Sequence, residues 1–188
     1  MKLLFVQNSL ALGGTETLVL RMSKWLSQSG HSVMVVAGKS GPLAKPLQEF
    51  ATVKVLGQPL GSCGHRNLSK LFPADQMKKD LLCPEIIFTF DAEPFRVGVL
   101  TKSCFDCWGQ TKSKLLSGIF HPRSFALAAD PARNLRARLL LCLLRAAQND
   151  ANVLYMSSVV KEQNAAYMRS AFVDGRIWHL PVVESLPF

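Results

Sequence analysis

The chain has 188 residues, 48% of them hydrophobic and 19% charged, with a formal net charge of +9. That length allows one full core, and that composition excludes a disordered chain. No apolar run is long enough to span a bilayer, and the five cysteines, an odd number, argue against a disulfide framework.

Residues 2–6 (KLLFV) read as a first strand, buried on both faces as in a central parallel strand. Gln7 and Asn8 break the apolar run with no small-residue cleavage site beyond them, which argues against a signal peptide and for a cytoplasmic protein. From Gln7 to Gly14 the spacing predicts a loop ending in two glycines, with Thr15 as the cap of the first helix. Helical periodicity assigns Leu18, Met22, Trp25, Leu26 and Ser29 to the face packed on the sheet, and Arg21, Lys24 and Gln28 to solvent. Gly30 stands where a left-handed residue ends a helix, and residues 31–37 read as strand two.

Gly41 and Pro42 open a short helix to about Phe50, and residues 52–56 form strand three, completing a βαβαβ unit. A glycine-rich loop covers residues 57–66, and residues 67–82 are helical with an interruption at Pro73. Residues 85–90 (EIIFTF) form strand four, which leaves Asp91 and Glu93 in the loop at its carboxyl end. A helix over residues 94–102 and a fifth strand over 115–120 follow, the latter ending at His121 and Pro122.

Asp130 and Pro131 start a helix that runs to about Asn149, with an apolar stripe of Leu135, Leu139, Cys142 and Ala146. Residues 153–156 form a strand, Ser157 caps a helix to about Arg169, and residues 176–180 form a last strand. The alternation specifies an α/β sandwich with a mostly parallel sheet.

Cys104 and Cys107 form a CxxC, but no second pair or histidine lies at ligand spacing, so no metal site is expected. The basic surplus is concentrated between Arg96 and Arg145, where nine basic residues face two acidic ones. Arg133, Arg136 and Arg138 form either a solvated face or a contact with an anionic membrane surface. No module for nucleic acid is present, and none is expected as a partner.

Several motifs, in order, resemble the N-terminal domain of GT-B glycosyltransferases, in particular the retaining family 4. The first is a strand, a Gly-Gly-x-Glu loop and a helix ending in Gly-His, here Gly13, Gly14, Glu16, Gly30 and His31. The others are the strand ending in His121, the strand-to-helix junction at Ser157, and the closing WHLPVVESLPF, in which Val182, Val183 and Glu184 depart from the family pattern. The resemblance implies a Rossmann-like fold, one half of a GT-B enzyme, covering residues 1–188, and a C-terminal donor-binding domain not contained in these residues. It also implies transfer of a sugar from a nucleotide-sugar to a glycan or lipid-linked acceptor in surface polysaccharide synthesis, with no further cofactor and no metal.

In that setting Gly13 and Gly14 approach the donor diphosphate or the acceptor, Glu16 is a further substrate-binding candidate, and His121 lies near the transferred sugar as the catalytic candidate. A tight turn at the glycines and a buried structural histidine are the alternatives. Asp91 either contacts acceptor hydroxyls or serves its loop, Ser157 is a further substrate-side candidate, and His31, at the amino end of strand two, is structural. A dinucleotide site is disfavoured, because the GxGxxG spacing is missing and no acid follows strand two. By the same resemblance the protein sits in the cytoplasm or at the inner face of the membrane, the isolated chain does not turn over, and its exposed cleft edge favours a homodimer. The competing reading is a non-catalytic binding or scaffold subunit that pairs with a separate donor-binding chain.

Overall fold

The computed structural model describes residues 1–60, 83–107, 113–119, 151–155, 157–168 and 176–177. Seven parallel strands form one sheet: β1 (Lys2–Ser9), β2 (Ser32–Lys39), β3 (Thr52–Val55), β4 (Ile86–Phe90), β5 (Lys114–Ile119), β6 (Ala151–Tyr155) and β7 (Arg176–Ile177). Their spatial order is β3-β2-β1-β4-β5-β6-β7. The helices described are α1 (Gly14–Gln28), α2 (Ala44–Gln48), α3 (Ala92–Cys107) and α4 (Ser158–Met168). None of them is long and apolar enough to cross a membrane.

Side chains alternate across the central strands, and the two faces take different helices. Leu3, Phe5, Val33, Val35, Phe88 and Phe90 share one buried cluster with Val19 and Leu26 of α1 and Leu47 of α2. Phe88 stacks in tilted geometry on both Phe5 (5.7 Å) and Phe90 (4.9 Å). Ile87 and Thr89 point the other way, against α3, whose Gly98 lies so close to Thr89 and Leu115 that a Cβ there would overlap their methyl groups. The result is an α/β/α sandwich with a fully parallel sheet, as the alternation of elements requires.

Several boundaries differ from the sequence reading for physical reasons. β1 does not stop at Val6: Gln7 pairs with Ala37 and Ser9 with Lys39, because the parallel ladder is made by backbone groups and continues under polar side chains. Helix α1 starts at Gly14 with Gly13 as its N-cap, so Thr15 is not the cap. Its fully buried residues are Val19, Ser23 and Leu26, and Leu18 and Met22 pack against the same cluster as expected, whereas Trp25 is 59% exposed and Ser29 is exposed. α2 is confined to five residues, and α3 starts two residues before and ends five residues after its expected range.

The end of α1 follows the expectation. Gly30 has φ +81, its N–H donates to the Ser27 carbonyl (3.0 Å), and the His31 N–H donates to the Leu26 carbonyl (3.0 Å), which together make a Schellman motif. His31 then sits beside the Met1 amino group at the amino end of the sheet, remote from the carboxyl edge. The helices expected over residues 67–82 and 130–149 lie outside the described residues, as do His121 and the closing motif.

Candidate functional site

The chain leaves β1 toward β2 on one side and β4 toward β5 on the other, so the strand order reverses between β1 and β4. In open parallel sheets the crevice at the carboxyl ends of such a pair is where ligands bind, because the two following loops diverge and leave a gap. The loop after β1 ends at Gly13, the first turn of α1 adds Gly14 and Glu16, and Asp91 joins β4 to α3. Ser157 follows β6 on the same edge.

The loop after β1 is held from below and from the side. Leu10 is fully buried, its N–H donates to the Lys39 carbonyl (3.1 Å), and its carbonyl accepts from the Leu43 N–H (3.0 Å). Gly41, in the loop after β2, lies directly against this backbone: a Cβ there would collide with the Leu10 carbonyl and come within 2.7 Å of the Ala11 nitrogen. Only glycine fits at that approach. The tip of the loop faces solvent, with Leu12 75% exposed.

No side chain caps α1. Glu16 folds back over Gly13 instead: Ser9 Oγ donates to Oε1 (3.3 Å), Thr15 Oγ1 donates to Oε2 (2.8 Å), and a Cβ on Gly13 would strike this carboxylate. Gly14, by contrast, has open space where a side chain would stand. The carboxylate in the first turn complements the positive end of the helix dipole, typically by about 0.3–1 kcal/mol. It also places a negative charge where a phosphate would otherwise be attracted. The loop therefore suits a neutral, hydroxyl-bearing group better than a bare phosphate.

Asp91 has φ +62, a left-handed conformation that aspartate tolerates better than most residues. Its N–H donates to the Gly118 carbonyl of β5 (2.9 Å), and its carbonyl accepts the Phe95 N–H (3.1 Å) of the first turn of α3. One residue thus ties β4, β5 and α3 together at the edge of the crevice. Ser157 caps α4 as expected: its Oγ accepts from the Val160 N–H (3.2 Å) and its carbonyl from the Lys161 N–H (3.0 Å). Its hydroxyl proton remains available to a ligand oxygen.

The sequence reading passed over Gln7. This residue is 2% exposed, and its Nε2 has no hydrogen-bond partner, a state shared among the described residues by the hydroxyls of Ser23 and Ser117. Gln7 lies on the α1 face of β1 near its carboxyl end, beside Ala37. A polar residue closing an apolar run was its one sequence signal. Cys104 and Cys107 both fall within α3, and no cluster of metal-ligating residues occurs among the described residues. Arg96, counted in the basic surplus, is engaged in the fold through Nη2 and the Leu60 carbonyl (2.6 Å).

Comparison with solved structures gives the fold a parallel. A lipopolysaccharide outer core galactosyltransferase (WaaB, apo form) matches with a TM-score of 0.50 and 16% identity over 91% of this chain. The fold is one half of a GT-B fold. The chain spans 43% of that galactosyltransferase, less than half of its length. An alpha-glucosyltransferase in complex with UDP-glucose and DNA containing an abasic site matches with a TM-score of 0.44 and 14% identity, over 88% of this chain and 39% of that one. No protein-family model and no curated protein matches the sequence.

Proposed function

We propose that this chain is the acceptor-side half of a glycosyltransferase that moves a sugar from a nucleotide-sugar to a glycan or lipid-linked acceptor in surface polysaccharide synthesis. The observation that carries the reading is the Glu16 carboxylate at the start of α1, in the crevice between β1 and β4. Held by two hydroxyls, it can accept a hydrogen bond from a sugar hydroxyl, and it opposes a phosphate at the same place. Asp91 and Ser157, on the same edge, supply a second acceptor and a donor for hydroxyl groups. The donor diphosphate is then gripped mainly by a second half, consistent with a chain that spans less than half of the galactosyltransferase it resembles in fold.

By resemblance to family 4, transfer retains the anomeric configuration and needs no bound metal. His121 would stand beside the transferred sugar, and the rate would come from positioning and from stabilising charge on the leaving diphosphate. On this reading the protein works in the cytoplasm, at the inner face of the membrane when its acceptor is lipid-linked. Incubation of purified residues 1–188 with nucleotide-sugars and neutral oligosaccharides, followed by mass spectrometry, is expected to show no hydrolysis and no transfer. Saturation-transfer NMR on the same sample is expected to show contact with the oligosaccharide. Turnover by this chain alone would overturn the division of labour, and absence of oligosaccharide contact would overturn the acceptor role.

A further inference from the structure

β1 is a central strand, flanked by β2 and β4 and covered by α1 on one face and α3 on the other. Leu3, Leu4, Phe5, Val6 and Gln7 are all buried in it, so a side chain on this strand reaches solvent only where the sheet opens at its carboxyl edge. Asn8 is the first that does so, exposed directly after those buried positions. Alternation along the strand sends Phe5, Gln7 and Ser9 toward α1, and Leu4, Val6 and Asn8 toward α3. Ser9 and Glu16 therefore belong to one side of the crevice, and Asn8 stands on the other.

The register fixes what surrounds it. Val6 pairs with Thr89 of β4, which brings Asp91, two residues on, alongside Asn8. On the β2 side Asn8 lies opposite Gly38, since Gln7 pairs with Ala37 and Ser9 with Lys39. No side chain comes from that position, and the chain leaving β3 occupies the space: a Cβ on Gly38 would lie 2.7 Å from the Asn8 carbonyl oxygen and 2.8 Å from that of Gln58. The Gln58 N–H donates to the Gly38 carbonyl (3.0 Å), and Arg96 of α3 donates to the Leu60 carbonyl (2.6 Å). Residues 56–60 thus run from β3 across the end of β2 to α3, and their backbone borders the crevice on that side.

Among the described residues nothing bonds the Asn8 amide, whereas Glu16 is held by Ser9 and Thr15, and Ser157 caps α4. Asparagine is depleted in strands, so one at the end of the central strand, with no bond to the fold, is the local exception expected at a ligand edge. Its Oδ1 accepts and its Nδ2 donates side by side, a pair that matches two hydroxyls on adjacent carbons of a sugar ring. We propose that Asn8 is a specificity-determining residue of the crevice, reading a vicinal diol of the acceptor from the α3 side while Glu16 reads a hydroxyl from the α1 side. The inference rests on the acceptor-side reading and deepens it: the bound unit of the acceptor keeps two adjacent hydroxyls free, and a unit substituted at either is rejected.

The test is an NMR titration of the full 188-residue chain with neutral trisaccharides ending in glucose, galactose or mannose, following the Asn8 side-chain amide and the backbone amides of residues 10–16. At least one trisaccharide is expected to shift the Asn8 Nδ2 resonances. Asn8→Ala should bind that sugar about tenfold more weakly. Its melting temperature should stay within about 2 °C of the parent, because the side chain is exposed and unbonded. Among monodeoxy analogues of the same sugar, two that lack neighbouring hydroxyls should bind the parent more weakly and lose nothing further in Asn8→Ala. Shifts at residues 10–16 with none at the Asn8 side chain, or equal affinity of parent and Asn8→Ala, would overturn this inference and leave the acceptor reading standing. Shifts at neither place with any of the three sugars would overturn both.

Discussion

Gly41→Ala tests how the crevice loop is held. The new Cβ would overlap the Leu10 carbonyl and stand 2.7 Å from the Ala11 nitrogen, both backbone atoms with no rotamer to escape into. To restore ordinary contact the loop must move away from the β2 side, and that movement strains two hydrogen bonds, Leu10 N–H to Lys39 O and Leu43 N–H to Leu10 O. Each such bond is worth about 0.5–1.5 kcal/mol net, and leaving its buried groups unpaired costs about 1–3 kcal/mol. A loss of about 2–4 kcal/mol follows. For a domain of this size that lowers the melting temperature by roughly 4–16 °C.

The control is Gly14→Ala, at the first position of α1, where a Cβ meets nothing. There the gain in helix propensity makes the change neutral or stabilising by up to about 1 kcal/mol. Thermal and urea unfolding followed by circular dichroism would measure both. If Gly41→Ala melted within about 1 °C of the parent, or if Gly14→Ala were the more damaging of the two, the reasoning on loop support would be refuted.

Three further outcomes follow from individual residues. Gln7→Leu removes a buried amide nitrogen that lacks a partner, so unfolding measurements should find it neutral or stabilised, by up to about 3 kcal/mol, where an ordinary polar-to-apolar change at a satisfied site would destabilise. Ser157→Ala deletes the side-chain cap of α4 and should cost about 1 kcal/mol, read as a melting temperature lower by roughly 2–4 °C, with Ser157→Asp restoring most of it. Tyr155 is 1% exposed, and burial pushes its phenol up to about 12 from an ordinary 10. The folded state therefore holds its proton more tightly than the unfolded state. The contribution is fully present below pH 10 and is lost as pH rises toward 12, so melting temperature should fall over that range, and less steeply in Tyr155→Phe.

What could be read from the residues, and what could not, divides along physical lines. The strands were legible because β-branched and apolar runs such as Ser32–Lys39 and Ile86–Phe90 are buried on both faces. The Schellman end at Gly30 and the cap at Ser157 were legible because each depends on one residue type in one local conformation. The extension of β1 through Ser9 was not, since it depends on a neighbouring strand that continues to offer backbone partners. The exposure of Trp25 was hidden for a related reason: how the helix sits on the sheet is set by tertiary contacts, which the spacing of apolar residues alone does not specify.

At the crevice the same distinction holds. Gly13, Glu16 and Asp91 could be assigned to the carboxyl ends of strands from their position after apolar runs. That Glu16 turns back over Gly13 to meet Ser9 and Thr15, or that Gly41 supports Leu10 from another loop, depends on contacts distant in the chain. Gly41 was read as the opening of a helix and Gln7 as the start of a loop, and nothing local distinguishes those roles from the ones they hold.

The central claim is that the β1/β4 crevice reads sugar hydroxyls. Amide chemical-shift mapping of the 188-residue chain, titrated separately with a neutral oligosaccharide and with inorganic pyrophosphate, tests it most directly. The account predicts that the oligosaccharide moves the amides of residues 10–16 and Asp91, that pyrophosphate leaves them in place, and that Glu16→Gln weakens the first effect. Shifts at those amides caused by pyrophosphate and not by the oligosaccharide would contradict it.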